Sequence, residues 1–347
     1  IWEEEKRQGR LIPPGEAPRS LITMPMRSVP SARPGVENTR ACRTMLLTLL
    51  RFRGVSPSLL DSFLACPLAF FYGQLSPLKP LEEVAEEGDP PALGSLIHKV
   101  LQDFFQPYQN QFVPAGSLDG DALADLFSER LEQEAFFRQM PAHARLMLAR
   151  TGRLRLRDFA RNTPACTPRE FEKRLSAPLA LDAQSFELKG FVDRIDQREI
   201  GGEAGLVILD YKTGKPRKPE AGFWDDADVW DTVAARDVES GLAMLPELYK
   251  GLKSIQMPLY MHTFWKQTGE HAADAAYVCL GKGGVEAPVF GGMDAEAVRE
   301  VVENAVPGLA AFILEMMLTA PRFEPSPSAG CAWCAWRQVC GGDSGSA

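Results

Sequence analysis

Hydrophobic and polar residues alternate along several stretches in the middle of the chain, which is the pattern of half-buried β-strands. The predicted strands cover residues 171–181, 186–198, 205–213 and 275–280. A glycine pair, Gly201-Gly202, separates the second strand from the third and predicts a tight hairpin turn. These two strands are therefore expected to pair in an antiparallel arrangement.

Apolar residues recur at helical spacing on both sides of these strands. The predicted helices cover residues 56–66, 93–106, 120–137, 141–161, 254–268 and 293–319. The first of them has a clear start, because Ser56 can act as its N-cap and Pro57 as its first helical residue. Strands surrounded by helices predict an α/β fold with a central mixed sheet that helices cover on its faces.

Changes in composition divide the chain. Prolines interrupt residues 1–54, which are expected to be a linker or the end of another region. Residues 55–342 contain all the predicted strands and form the expected folded domain, while the Gly/Ser-rich residues 343–347 form a flexible tail. Residues 214–253 are expected to be a long connection rich in Asp, Trp and Pro, with no assigned role.

Composition and charge limit the classes of partner. The chain has 347 residues, of which 45% are hydrophobic and 24% charged, as in a soluble globular protein. The net charge of −8 provides no overall basic field, so a nucleic acid would have to bind a local basic patch. Two such patches are residues 215–218 and the helical stripe Arg150, Arg153, Arg157 and Arg161.

The expected location is the cytoplasm. No apolar run reaches the roughly 18 residues of a membrane span, and the charged N-terminus lacks a signal-peptide pattern. Seven cysteines are an odd number, which argues against a complete set of disulfides. In a reducing compartment, clustered cysteines more often bind a metal.

The second and third predicted strands carry Asp193, Asp210 and Lys212 near their ends. With a two-residue turn, Asp193 faces Asp210 across the hairpin, with Cβ atoms roughly 5 Å apart; a four-residue turn would shift this register. Side chains alternate along a strand, so Asp210 and Lys212 share a face. Paired carboxylates need a cation, and Mg²⁺ prefers such ligands. The residues therefore indicate metal-dependent hydrolysis, although each could be an ordinary charge at a strand end.

Two flanking helices carry further polar residues. His98 lies on the predicted helix 93–106, where a single histidine is more often part of the core than a metal ligand. Gln256 and Tyr260 are four residues apart and share one helix face. Taken alone, these two residues are typical of the boundary between core and solvent.

Three cysteines near the C-terminus have the spacing Cys331-x₂-Cys334-x₅-Cys340. Two thiolates at the first spacing can bind one metal centre, and the third extends the chelate. The fourth ligand of a tetrahedral centre would come from one of the remaining cysteines, of which Cys66, followed by Pro67, is the favoured candidate. The spacing does not distinguish zinc from an iron–sulfur cluster, and buried thiols are the alternative.

Taken together and in this order, these motifs resemble those of the RecB-like nucleases of the PD-(D/E)xK superfamily. Within that group the chain is most similar to the C-terminal nuclease domain of AddB-type helicase-nuclease subunits. The resemblance covers residues 55–342. The motifs that carry it are Ser56-Pro57-Ser58, Cys66-Pro67, Gly94-x₃-His98, residues 190–196, residues 210–214, Gln256-x₃-Tyr260 and Cys331-x₂-Cys334-x₅-Cys340.

The resemblance implies a role for each of these residues and a restriction-endonuclease-like core. His98, Asp193 and Asp210 would bind Mg²⁺ or Mn²⁺. Lys212 would be the catalytic lysine, with Gln256 and Tyr260 as supporting active-site residues. Cys66, Cys331, Cys334 and Cys340 would hold a [4Fe–4S] cluster that joins the N- and C-terminal parts of the domain. Residues 1–54 would be the trailing end of a helicase-like region.

The function implied by the resemblance is exonuclease activity on single-stranded DNA or duplex ends. It would operate with a helicase-nuclease partner subunit in double-strand break processing and recombinational repair. One alternative is a stand-alone, CRISPR-associated RecB-like nuclease, against which the segment 1–54 argues. Another is a non-catalytic, cluster-stabilised module that binds DNA ends. The intact set of Asp193, Asp210 and Lys212 argues against this last alternative.

Overall fold

A five-stranded mixed β-sheet runs through the centre of the protein. The structure is a computed structural model that describes residues 35–79, 90–326 and 328–340. The central strands are β2 (Thr167–Leu181), β3 (Gln184–Ile200), β4 (Glu203–Lys212), β5 (Ala272–Cys279) and β6 (Val285–Pro288). They are arranged in this order, with β4 and β5 parallel and all other neighbours antiparallel.

Helices cover both faces of this sheet. The helices are α1 (Arg40–Arg53), α2 (Pro57–Ala65), α3 (Pro67–Phe70), α4 (Pro90–Phe105), α5 (Gly120–Gln133), α6 (Ala135–Gln139), α7 (Ala142–Asn162), α8 (Ala227–Ala235), α9 (Val238–Leu252), α10 (Gln256–Thr268), α11 (Ala295–Glu300), α12 (Val306–Thr319) and α13 (Arg337–Cys340). Along β4, Ile208 packs into the core formed with α1, α2, α10 and α12, whereas Val207 and Leu209 pack into the core formed with α4, α5 and α7. This alternation confirms the predicted α/β fold with a central mixed sheet.

The turn between β3 and β4 has the predicted length and register. Gly201 and Gly202 have φ angles of 62° and 89°, which two-residue hairpin turns require and glycine adopts without strain. The ladder pairs Ile200 with Glu203 and continues to Arg194 and Leu209. The predicted register is therefore confirmed, and it leads directly to Asp193 and Asp210.

Three predicted segments differ from the structure. The helix expected over 254–268 begins at Gln256, and the helix expected over 293–319 is divided by a π-helical turn, Val301–Ala305. The prediction of a long connection over 214–253 was wrong, since that segment contains α8 and α9. Its aromatic residues pack on the main core, where the rings of Trp224 and Trp230 stack with their centres 5.9 Å apart.

The N- and C-terminal parts of the described chain pack against each other. Strand β1 (Val36–Glu37) pairs with β7 (Arg322–Phe323), and the buried Leu46 and Leu50 of α1 belong to the main core. The described residues all belong to one compact unit. Residues 1–34 and 343–347 lie outside the described residues, so the origin of segment 1–54 and the flexibility of the tail stay predictions.

One helical stretch, Ala295–Thr319, is long and apolar enough to cross a membrane by length and composition, contrary to the expectation that no run qualifies. Its most apolar window is 61% buried inside the protein. The stretch comprises α11, the π-helical turn and α12. Phe312, Ile313 and Met316 of α12 are fully buried in the main core. These contacts are those of a core helix.

Candidate metal centre and active site

The His98 ring lies between α4 and the ends of β3 and β4. Helix α4 packs on the sheet through Val100, Leu101 and Phe105, which places His98 beside Tyr211. Its Nε2 atom is 3.1 Å from the backbone oxygen of Tyr211, and its Nδ1 atom is 3.2 Å from Oδ1 of Asp193. A carbonyl oxygen only accepts, so in the neutral ring Nε2 carries the hydrogen. Nδ1 then presents a lone pair to a carboxylate, and a proton or a cation must lie between them.

The charges around His98 favour a positive charge at this position. Burial lowers the pKa of His98, but the hydrogen bond and the negative charge of Asp193 outweigh it, so the pKa lies above its ordinary value. Asp193 is itself buried, and its Oδ2 atom accepts the Tyr211 backbone N–H at 2.7 Å. The contacts with Tyr211 therefore hold the His98 ring and the Asp193 carboxylate so that Nδ1 faces Oδ1.

Glu172 completes this group, and the sequence analysis did not identify it. Ligand atoms of His98, Glu172 and Asp193 lie within 4.8 Å of one another, the only such group of three among the described residues. The backbone of Glu172 has φ of 49°, a left-handed conformation that is strained for a non-glycine residue. Burial, followed by the charge of Asp193, raises the pKa of Glu172. We call His98, Glu172 and Asp193 the acidic–histidine group.

Asp210 and Lys212 form an ion pair beside this group. Nζ of Lys212 is 2.6 Å from Oδ2 of Asp210, while Oδ1 of Asp210 accepts a hydrogen bond from the Gln256 amide at 2.9 Å. Burial and the charge of Asp193 raise the pKa of Asp210 to about 6, against the lowering effect of Lys212. Burial and the neighbouring anion therefore destabilise the ionised form of Asp210, which favours a cation at this position.

Gln256 and Tyr260 occupy the first turns of α10 and face the same ion pair. The Gln256 amide oxygen accepts a hydrogen bond from Lys212 at 3.3 Å, and its nitrogen donates to the Tyr260 hydroxyl at 3.1 Å. A Cβ atom on Gly190 would lie 2.8 Å from the Tyr260 ring, so glycine is required there for close approach. The predicted pair is thus brought to the site.

Asp61 of α2 positions the start of α10 and was missed from the sequence. Its carboxylate accepts the Ser254 hydroxyl at 2.6 Å and the Ile255 backbone N–H at 3.0 Å. Burial raises the pKa of Asp61 despite these hydrogen bonds. An acidic residue between Leu60 and Phe63, on the buried face of α2, is the signal that could have identified it.

The donor set suits a hard divalent cation. One imidazole and two carboxylates can bind Mg²⁺ or Mn²⁺, which prefer oxygen and tolerate nitrogen ligands. The Nδ1 atom of His98, held 3.2 Å from a carboxylate oxygen, is the specific observation that fits a cation there. Asp210 is outside the acidic–histidine group, so its role as a ligand stays a prediction.

The four cysteines of the proposed cluster are not assembled as metal ligands in the described residues. Cys66, Cys334 and Cys340 pack around the small core of Leu68, Tyr72 and Trp336. Cys331 is exposed. No three of these sulfur atoms lie within 4.8 Å of one another among residues 35–79, 90–326 and 328–340. The predicted staple is therefore not shown by the structure.

The predicted basic stripe on α7 is largely used within the fold. Arg153 contacts Asp125 at 2.7 Å and Arg157 contacts Asp121 at 2.6 Å, so both arginines hold α7 against α5. Arg161 is 3.4 Å from Asp158 on its own helix. The acidic partners are themselves exposed, Asp121 by 75% and Asp125 by 69%, so the use of this stripe as a phosphate track stays a prediction.

The fold and this site define an α/β domain with a candidate metal-binding group and a carboxylate–lysine pair at the end of a central hairpin. The family model of the PD-(D/E)XK nuclease superfamily matches residues 54–341, and the chain belongs to this superfamily. The predicted membership is confirmed.

The relatives of this chain are distant and much longer. An uncharacterized protein of Rickettsia conorii is 26% identical over 171 residues, which cover 46% of this chain and 19% of that protein. A subunit of the ATP-dependent helicase/deoxyribonuclease of Clostridium acetobutylicum is 25% identical over 180 residues, which cover 46% of this chain and 15% of that protein. The chain thus spans about a fifth or less of the length of these curated relatives.

Among solved structures, the crystal structure of SSO0001 covers 82% of this chain and 94% of its own. The two chains are 12% identical, with a TM-score of 0.24.

Proposed function

We propose that this chain is a metal-dependent deoxyribonuclease that degrades single-stranded DNA from an end. The observation that carries the proposal is the acidic–histidine group beside the Asp210–Lys212 pair. A binding module alone has no need for a buried carboxylate whose pKa is raised to about 6 next to another anion. Such an arrangement costs stability and is typical of catalytic sites.

The residues of the site have different proposed roles at the scissile phosphodiester. His98, Glu172 and Asp193 hold the cation, with Asp210 as a further proposed ligand. When bound, Mg²⁺ supplies Lewis acidity at the phosphate and lowers the pKa of a coordinated water. Lys212, held by Asp210 and Gln256, places its ammonium where negative charge develops on the phosphate oxygens. Tyr260 maintains the orientation of Gln256.

The similarity to a helicase/deoxyribonuclease supports the wider proposal. In it, the chain is the nuclease part of a cytoplasmic helicase-nuclease that processes double-strand breaks, and a partner subunit unwinds the duplex. Lys215 and Lys218 follow the Lys212 strand and are exposed, and Lys218 donates to the backbone oxygen of Pro288 at 2.9 Å. In this proposal, both lysines contact DNA phosphates.

Purified protein is expected to cleave end-labelled linear single-stranded DNA in Mg²⁺ or Mn²⁺ and to be inactive in EDTA. An exonuclease releases short products from one end and leaves circular single-stranded DNA intact, so gel analysis of both substrates tests the proposal. Cleavage of the circle would contradict the exonuclease assignment. Binding of DNA ends without cleavage in either metal would favour the non-catalytic end-binding alternative.

We also propose that Cys66, Cys331, Cys334 and Cys340 bind a [4Fe–4S] cluster. The support is local: the Sγ atom of Cys66 accepts backbone N–H groups from Ala69 at 3.5 Å and Ser326 at 3.4 Å. Amide donors to sulfur stabilise a thiolate. The same contacts bring Cys66 to the segment that carries the other three cysteines.

Anaerobically purified protein is therefore expected to be brown and to contain iron and acid-labile sulfide, both measured per chain. Cys66→Ser should lose the iron and unfold at a lower temperature, because the cluster joins distant parts of the chain. Cys42→Ser, which changes a cysteine outside the four, is the matched control. A colourless protein that contains zinc would contradict the iron–sulfur assignment and leave the nuclease proposal intact.

A further inference from the structure

Phe191 is an exposed aromatic residue two positions before Asp193 on β3. Its side chain is 43% exposed, although it lies in the middle of the long β2–β3 hairpin. Its cross-strand partner on β2, Arg174, is also exposed. A single exposed phenylalanine needs no explanation by itself. The position of Phe191 needs one, because this residue lines two clefts that contain residues of the candidate active site.

Two clefts meet at Phe191. The first, of about 560 Å³, is lined by residues that include Asp61, Lys189, Lys212, Gln256 and Tyr260. The second, of about 510 Å³, contains His98, Glu172 and Lys99. Of the described residues that line these clefts, Phe191 is the one common to both. Phe191 therefore lies between the cleft of Lys212 and the cleft of the acidic–histidine group.

The backbone of Phe191 is held in place while its ring is left open. Phe191 lies within the β2–β3 ladder, where it pairs with Arg174, and it directly follows Gly190. The Tyr260 ring in turn packs so closely on Gly190 that a Cβ atom there would lie 2.8 Å from it. The ring of Phe191 is thus presented by a rigid strand, so little conformational entropy is lost when a flat ligand packs on it.

The surroundings of the ring match one class of ligand. Lys189 and Lys212 line the first cleft and Lys99 the second. Each is paired with a carboxylate (Glu187, Asp210 and Asp103), and exposed ion pairs are weak enough for a DNA phosphate to compete with them. An exposed aromatic ring flanked by lysines is a combination that single-stranded nucleic acids bind, because each base can stack on the ring. In a duplex, both faces of each internal base are already covered by neighbouring base pairs.

We propose that Phe191 stacks on an unpaired base next to the scissile phosphate and thereby makes this site selective for single-stranded DNA. The proposal rests on the proposed nuclease function and adds to it the residue that recognises the substrate class. The strand runs from the cleft of Lys189 and Tyr260 across the Phe191 ring to the acidic–histidine group. Recognition by stacking is independent of base identity, since every base has a π-face.

The test compares Phe191→Ala and Phe191→Trp with the wild-type chain. Loss of one stacked base is expected to raise KM for a single-stranded oligonucleotide by about 5-fold to 100-fold, with kcat changed much less. The tryptophan variant should retain a KM close to that of the wild type. Phe112→Ala, which removes a ring that is 69% exposed and lines neither cleft, is the matched control.

A second measurement separates stacking from catalysis. In EDTA, an oligonucleotide with 2-aminopurine near its end is titrated with each protein, since stacking on an aromatic ring quenches its fluorescence. Quenching and affinity should fall in Phe191→Ala and persist in Phe191→Trp and Phe112→Ala. Unchanged KM, affinity and quenching in Phe191→Ala would overturn the stacking proposal. Phe191-dependent binding by a wild-type chain that cleaves no DNA would support stacking and overturn only the nuclease function.

Discussion

Asp210→Asn is expected to reduce DNA cleavage by about 100-fold to 1,000-fold or more and at the same time to stabilise the metal-free protein. The loss of activity follows because the variant removes a charge from the site and the ionic partner of Lys212, 2.6 Å away. DNA affinity should change little, because Asp210 is buried and a carboxylate makes no attractive contact with a DNA phosphate.

The gain in stability follows from the pKa of Asp210. Burial and Asp193 raise it from 3.8 to about 6, so the folded state holds a proton more tightly than the unfolded chain. The ionised carboxylate then costs up to about 3 kcal/mol of stability above pH 6. Asparagine avoids this cost. The advantage of the variant should be complete above pH 6 and disappear as the pH falls toward 3.8.

Thermal or urea unfolding in EDTA at pH 4, 5, 6 and 8 measures this difference. Adding Mg²⁺ at pH 8 should stabilise the wild type more than the variant, because only the wild type presents the full charge. Asp231→Asn, at an exposed position of α8, is the control for the loss of a carboxylate. A variant that is less stable than the wild type at pH 8, or that retains normal cleavage, would show that Asp210 does not have this role.

Arg194→Met is expected to lower the free energy of unfolding by about 3–5 kcal/mol. The guanidinium group of Arg194 is fully buried, lies 2.9 Å from the Asp196 carboxylate and donates to the Tyr211 hydroxyl at 3.0 Å. It also packs on the Phe105 ring, 4.2 Å from its centre. Removing the guanidinium leaves a fully buried carboxylate with Arg198 as its remaining partner at 2.9 Å.

The same substitution should weaken metal activation. The backbone of Tyr211 contacts Asp193 through its N–H and His98 through its oxygen, and Arg194 holds the side chain of that tyrosine. We therefore expect a higher Mn²⁺ concentration for half-maximal cleavage, measured where the variant is still folded. Arg161→Met, at a side chain that is 75% exposed, should cost less than about 0.5 kcal/mol. Equal effects of the two substitutions in urea unfolding would contradict this account.

The central hairpin was predictable because its information is local. Strand alternation and the glycine pair together determine which residues of β3 and β4 face each other, and the observed register agrees. Gln256 and Tyr260 were predictable as a pair because helix periodicity places them on one face. Their contact with Lys212 required knowledge of the packing of α10 on the sheet.

The residues that were missed depend on long-range packing. Glu172 approaches Asp193 through the pairing of β2 with β3, which includes a shift of register between Pro168 and Glu170 and a left-handed residue at position 172 itself. No local pattern specifies such irregularities. Asp61 contacts Ser254, which is 193 positions away in the sequence. The ion pairs of Arg153 and Arg157 were missed for the same reason, because their acidic partners lie on another helix.

The contact between Asp61 and Ser254 also has a consequence for the order in which the site is completed during synthesis. Residues up to Lys212 include the acidic–histidine group and the ion pair, yet Gln256 reaches Lys212 only after α10 has emerged and Asp61 has engaged its start. Pairing of β1 with β7 follows later still, at Phe323. A chain that ends at Lys212 therefore contains the acidic–histidine group and the ion pair, but it lacks the Gln256 amide that contacts both members of that pair. Because domains generally fold as units, the complete site is expected to form only when α10 and β7 are available.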